Sequence, residues 1–136
     1  MNWRLVEQSE LLSGETPIMN KNANAIPYPN QYLVTIGGRL HLTTSRLIFK
    51  SHSINDLTGK FSILLPTITE VKDTSGMLRK KIMVSTQTQN FEFIVWGIPP
   101  FLAAIDSARR NITPDLGAFI LNEAASNLEK CGHGLQ

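Results

Sequence analysis

The sequence predicts a mostly β fold with α structure at its C-terminal end: an antiparallel barrel of about seven short strands, capped by a C-terminal helix, plus one additional helix. Three observations carry this. Short apolar–polar alternations recur between residues 18 and 95 with turn-forming residues between them, the pattern of consecutive antiparallel strands. After Pro99-Pro100 the apolar spacing lengthens to that of a helix. At 136 residues, with 42% hydrophobic and 18% charged residues, the chain suits one domain with a real core.

The clearest element is the stretch Gly37–Asn55. Two alternating runs, Arg39–Thr43 and Arg46–Lys50, flank Thr44-Ser45 and predict a hairpin with a two-residue loop. Leu42 then faces Leu47, His41 faces Ile48, Leu40 faces Phe49 and Arg39 faces Lys50. Leu40, Leu42, Leu47 and Phe49 share the core face. Arg39, His41, Arg46, Lys50 and His52 share the other, forming a basic hairpin face. A one-residue slip would send these cations inward, which reinforces the register.

This same stretch resembles the central hairpin of the GRAM domain, a member of the pleckstrin-homology-like superfold. The residues that match the family's pattern are Gly38, Leu40, Leu42, Thr43, Arg46, Leu47, Ile48 and Phe49. The likeness extends more loosely over Ile63–Val71 and Phe91–Ile105, covering roughly residues 15–110. It implies a small barrel with a capping helix and a non-catalytic binding role, often at phosphoinositides or other anionic lipids. It does not specify a ligand.

Taken in order, Trp3–Leu12 has no clean period and reads as a short packed segment. Thr16–Tyr32 contains Pro17, Pro27 and Pro29 with four asparagines. It reads as an edge strand over Ile18–Ala25 and an ordered loop. Tyr32–Ile36 leads into the hairpin, and Gly37-Gly38 suggests a bend or bulge there. Asn55–Gly59 is a turn. Phe61, Ile63 and Leu65 alternate as a strand ended by Pro66, and Ile68–Lys72 is a short one. Asp73–Gly76 turns again. Ile82, Val84 and Thr86 form one further inward face, and Phe91, Phe93 and Val95 the next.

Pro99-Pro100 suits the first turn of a helix whose buried side is Phe101, Ile105, Ala108 and Ile112, with Arg109 and Arg110 near its C-terminus. Thr113-Pro114-Asp115 starts the additional helix, residues 113–131, with a Thr cap and Gly132 as its stop. All of residues 1–136 belong to one domain. Inward Phe91, Phe93 and Val95 leave Ile94 and Trp96 outside, together with Ile48 and Leu64. Such apolar residues need a cover or mark an interface. The helix over Asp115–Lys130 is expected to cover part of this surface, with a homodimer contact as the alternative. Trp96 and Phe119 both exposed in a monomer would count against both.

Little here supports catalysis. His41, His52 and His133 lack metal-ligand spacing, and Cys131 stands alone. No phosphate-binding glycine motif is present, so neither a catalytic residue nor a cofactor is assigned. No secretory signal or membrane span is read, and the protein is expected to be soluble and cytoplasmic, able to reach a membrane only at its surface. Net charge is +2, but residues 39–81 hold eight Lys and Arg against Asp56, Glu70 and Asp73. Nucleic acid is disfavoured, because the aromatics are not interleaved with the basic residues. Met77-Leu78-Arg79-Lys80-Lys81 is the sharper feature: two apolar residues beside three cations in a hairpin loop, suited to anionic lipid. The alternative is a protein-interaction module using Ile94, Trp96 and Phe119 or the edge strand.

Overall fold

In the computed structural model the described residues are 12, 14–27, 35–52 and 60–135, with side chains described through residue 123 and at residue 125. The readings made for Trp3–Leu11, Tyr32–Val34 and the Asn55–Gly59 turn lie outside them. The strands are β1 (Pro17–Ile26), β2 (Ile36–Thr43), β3 (Arg46–Ser51), β4 (Lys60–Leu64), β5 (Ile68–Asp73), β6 (Lys81–Thr86) and β7 (Asn90–Val95). The helices are α1 (Ile98–Arg110) and α2 (Pro114–Leu135).

All seven strands join one antiparallel sheet in the order β4-β3-β2-β1-β7-β6-β5. Its two edges, β4 and β5, are linked by the 3-10 turn Leu65–Thr67 rather than by a ladder. The sheet is therefore open along one seam, where a closed barrel was expected. Pro66 lies in that turn and has no amide with which to extend pairing. The central hairpin has the predicted register, from Arg39 opposite Lys50 to Leu42 opposite Leu47.

Two strand-level expectations are corrected. β1 is the central strand, not an edge: it pairs with β2 from Pro17 to Ala25 and with β7 from Ala23 to Ile26. Pro17 and Pro27 bracket the strand and no proline lies inside it, so its interior amides are free to join ladders on both sides. The second correction concerns Gly37-Gly38, through which β2 runs in register. The irregularities instead fall between Pro17 and Met19 and between Ile68 and Glu70. Gly38 is a matter of space. A β-carbon there would lie 2.3 Å from the Lys50 carbonyl oxygen and 2.7 Å from Phe49 Cζ.

The core joins Leu40, Leu42, Leu47 and Phe49 to Ile82, Val84, Phe93 and Val95. Ring centroids 5.5 Å apart for Phe49–Phe61, 6.0 Å for Phe49–Phe93 and 5.6 Å for Phe61–Phe91 connect β3 and β4 to β7. The two halves of the sheet thus pack against each other through aromatic rings, each pair adding about 1 kcal/mol beyond burial. Phe101, Ile105 and Ala108 of α1 are buried in the same core as predicted. Arg109 Nη2 also donates to the Ile68 carbonyl at 3.1 Å, tying the end of α1 to the start of β5.

α2 starts where its cap predicts, with the Leu116 amide donating to Thr113 Oγ1 at 3.1 Å. It continues past Gly132 to Leu135, so that glycine is not its stop. Ile120 is buried, and a β-carbon at Gly117 would lie 3.9 Å from Pro66, so the helix leans on the 65–67 turn. It does not cover Trp96, one of the outer apolar residues it was expected to help cover; of the others, Ile48 is buried and Leu64 and Ile94 are half-buried. Trp96 is 72% exposed and Phe119 45% exposed. The helix thus leaves Trp96 uncovered, and Phe119 is itself exposed.

Candidate functional site

The cations of the sequence fall into two hairpin ends with different surroundings. The first is the β2–β3 turn. Glu15, 4% exposed, reaches into it from the start of the chain's described part. Arg46 meets its carboxylate in a fork, with Nε 3.0 Å from Oε2 and Nη2 3.2 Å from Oε1. The Leu12 amide donates to Oε1 at 2.7 Å. Thr43 donates its hydroxyl to Oε2 and accepts the amides of Ser45 at 3.1 Å and Arg46 at 3.0 Å. The bidentate pair and these charge-assisted bonds fix the turn. Arg46 and Thr43, two of the residues that carry the family resemblance, are thereby structural.

The rest of the basic hairpin face is similarly engaged. Alternation places these residues opposite the core residues, yet His41 and Lys50 are buried, as is Ile48 between them in the pairing. Arg39 Nη1 donates to Asn20 Oδ1 at 2.6 Å. Only His52 of the five is exposed. The period of a strand tells which residues share a face, not whether that face meets water, so this set is no open cationic surface.

The second end is the β5–β6 tip, and it is built the other way. Gly76 donates its amide to the Arg79 carbonyl at 3.0 Å, closing a turn with Met77 and Leu78 at its corner. Below it, Thr74 donates to the Lys81 carbonyl at 2.9 Å. The Lys81 amide donates to Ser75 Oγ at 3.1 Å, and the Ser75 amide to Asp73 Oδ1 at 2.9 Å. Asp73 is held below the ordinary carboxylate value by its side-chain and backbone bonds to Ser75, with a smaller contribution from Lys80. The tip is thus an ordered hairpin end whose apolar residues have nowhere to fold back. Met77 is 103% and Leu78 96% exposed.

The three cations beside them are not equivalent. Lys81 lies 3.2 Å from Glu92 Oε2 on β7, an ion pair at the base of the tip. Arg79 and Lys80 are exposed, and among the described residues neither forms an ion pair. Sequence reasoning missed both Glu92 as the partner of Lys81 and Glu15 as the partner of Arg46, because each partner is distant in the chain. It also grouped Ile94, Trp96 and Phe119 as one face. Ile94 pairs with Lys81 at the tip end of β7, whereas Phe119 lies just beyond the Gly117 contact with Pro66.

One further concavity runs along the open seam, an open cleft of about 640 Å³ between β4 and the β6–β7 turn. Its lining includes Ser62, Thr67, Thr69, Thr88, Gln89 and Phe91 and carries no charged side chain. No three His, Cys, Asp or Glu residues gather as a metal site among the described residues. No helix there is long and apolar enough to cross a membrane.

Comparison with known proteins agrees with this architecture. Solved structures with the same fold include the C-terminal domain of an unknown protein from Leishmania infantum, with a TM-score of 0.61 and 18% identity over 73% of this chain and 88% of that one. The N-terminal PH domain of Vps36 aligns with a TM-score of 0.59 and 20% identity, over 75% of this chain and 84% of its own. At these identities the likeness is one of fold. No curated protein matches in sequence. The family model of the GRAM domain matches residues 5–96, and with seven antiparallel strands, a packed C-terminal helix and the Leu-Thr…Arg-Leu-Ile-Phe hairpin in place, the chain belongs to the GRAM domain family.

Proposed function

We propose that this chain is a non-catalytic module that associates with anionic membrane surfaces through the β5–β6 tip. The observation that carries the reading is the full exposure of Met77 and Leu78 on a hydrogen-bonded turn, directly beside Arg79 and Lys80. Large apolar side chains held in water lose about 1.5–3 kcal/mol each relative to burial. A lipid headgroup region relieves that loss, and each nearby cation adds about 1 kcal/mol at an anionic surface. The tip's internal bonds mean that little ordering is needed when it docks. Family membership supports a binding module of this general kind.

Co-sedimentation with anionic and neutral vesicles, at low and physiological salt, tests it. Binding to anionic vesicles alone, weakened by salt and lost in the Arg79→Glu/Lys80→Glu/Lys81→Glu protein, is the expected result. Absence of binding in every condition discards the reading. A second reading, a protein-interaction module, no longer draws on the Asn-rich strand, which is central. It draws on Leu116, Phe119 and Leu121, all exposed on α2, and is checked by whether substitutions there, rather than at the tip, disturb the protein's associations.

A further inference from the structure

We infer that Trp96 and Lys21 belong to the same bilayer-facing end as the β5–β6 tip, with Trp96 as its third apolar anchor at an anionic lipid interface. This rests on the membrane reading above. The strand ladder supplies the juxtaposition. Lys81 pairs with Ile94, and the Val95 amide donates to the Lys80 carbonyl at 3.0 Å. Neighbouring strands lie about 4.8 Å apart, so the backbone of Trp96 passes alongside Arg79–Lys80. Val95 is buried and Trp96, the next residue, is 72% exposed. On the other flank, β1 pairs Ala23 with Val95, and Lys21 follows the chain to Gly97. A β-carbon added at Gly97 would lie 2.7 Å from Lys21 Nζ. Three elements that are distant in sequence thus bring Met77, Leu78 and Trp96 to one end of the molecule, with Arg79, Lys80 and Lys21 around them.

Chemistry favours a bilayer over a protein partner for this end. Tryptophan concentrates at the headgroup level of membranes, where its ring is apolar and its N–H stays wet. The flanking cations complement anionic headgroups, and Lys81 is already paired with Glu92, which leaves Arg79 and Lys80 exposed and the half-buried Lys21, its ammonium against Gly97, at the same end. A shared protein interface with Phe119 does not fit. α1 is 13 residues long, about 20 Å. Trp96 lies at its start, whereas Phe119 follows the contact with Pro66, near the end that Arg109 ties to Ile68.

Trp96 reports on the inference directly. In a Trp3→Phe protein Trp96 is the single tryptophan, and its emission is recorded with phosphatidylserine-containing vesicles, with phosphatidylcholine vesicles, and with anionic vesicles carrying brominated acyl chains. Co-sedimentation is measured on the same samples. The expected result is sedimentation with anionic vesicles, a blue shift of Trp96 and quenching by the brominated lipid. Trp96→Ala should lower vesicle affinity about ten-fold or more without changing the thermal midpoint. Lys21→Glu should lower it less and make it less sensitive to salt. Sedimentation with neither shift nor quenching, or undiminished affinity in Trp96→Ala, overturns the inference while the tip reading stands. That is also the result expected if Trp96 serves a protein partner. No sedimentation overturns both. If Trp3→Phe disturbs folding, the difference spectrum between the parent and Trp96→Phe gives the same readout.

Discussion

The β2–β3 turn and the β5–β6 tip are both hairpin ends with arginine and lysine close by, and they have opposite fates. At the first, Arg46 is forked onto a carboxylate that is itself buried and shared with the Leu12 amide and the Thr43 hydroxyl. At the second, Arg79 and Lys80 extend into solvent beside two exposed apolar residues. The difference lies in what the rest of the chain brings to each. Glu15 arrives at one from 31 residues away. The acids nearest the other, Asp73 and Glu92, are taken up by Ser75 and Lys81. A basic residue therefore points to a ligand only after its own protein partners have been counted.

The comparison breaks most visibly if the turn is not structural. Glu15→Ala leaves Arg46 without its buried carboxylate and should destabilise the fold by about 3–5 kcal/mol, read as a lowered denaturant midpoint. Adding Arg46→Met should recover part of that loss, because no charge is then left uncompensated. Equal stability of Glu15→Ala and the parent would remove the distinction between the two ends. Gly38→Val should cost about 1–3 kcal/mol through overpacking, since the Lys50 carbonyl and the Phe49 ring already occupy the space. Thr43→Val keeps the shape but leaves the Ser45 and Arg46 amides without their acceptor, a loss of about 1–3 kcal/mol.

At the tip the expected effects on stability are small, and that is the contrast. Met77→Ser/Leu78→Ser should leave the unfolding midpoint within about 0.5 kcal/mol of the parent while reducing vesicle binding. A large destabilisation would mean the tip is packed after all. The smallest effect concerns pH. The Asp73 pKa is lowered in the folded state, chiefly by its bond to Ser75. Its contribution is therefore complete above the ordinary carboxylate value and is lost as pH falls through the lowered one. Measured against the intrinsic exchange rate at each pH, protection of the Ser75 amide should fall at the acidic end of that range in the parent, and Asp73→Asn should already show the lower protection at neutral pH.

How legible these features were depended on the range of the interaction that creates them. The hairpin register, the cap at Thr113 and the buried side of α1 follow from alternation, turn chemistry and helical spacing, all of which act within a few residues. The tip was legible as well, because Met77–Lys81 lie together in the chain. The central position of β1 was not. Its flanking prolines imitate an edge strand, and only the pairing with β7 across the fold reveals the middle of a sheet. The gap between β4 and β5 was hidden in the same way, since strand count does not say whether a sheet closes.

The sequence alone determined that this is a mostly β domain with a hairpin whose inner face is Leu40, Leu42, Leu47 and Phe49, because side-chain period and turn propensity are local properties, and the same hairpin carries its resemblance to the GRAM domain. Tertiary structure decided which cations are occupied and which are presented. Ion pairs and burial depend on residues brought together from opposite ends of the chain: Glu15 to Arg46, Glu92 to Lys81, and Lys21 and Trp96 to the side of the β5–β6 tip. A charge gains or loses its availability through such neighbours, and no local pattern records them.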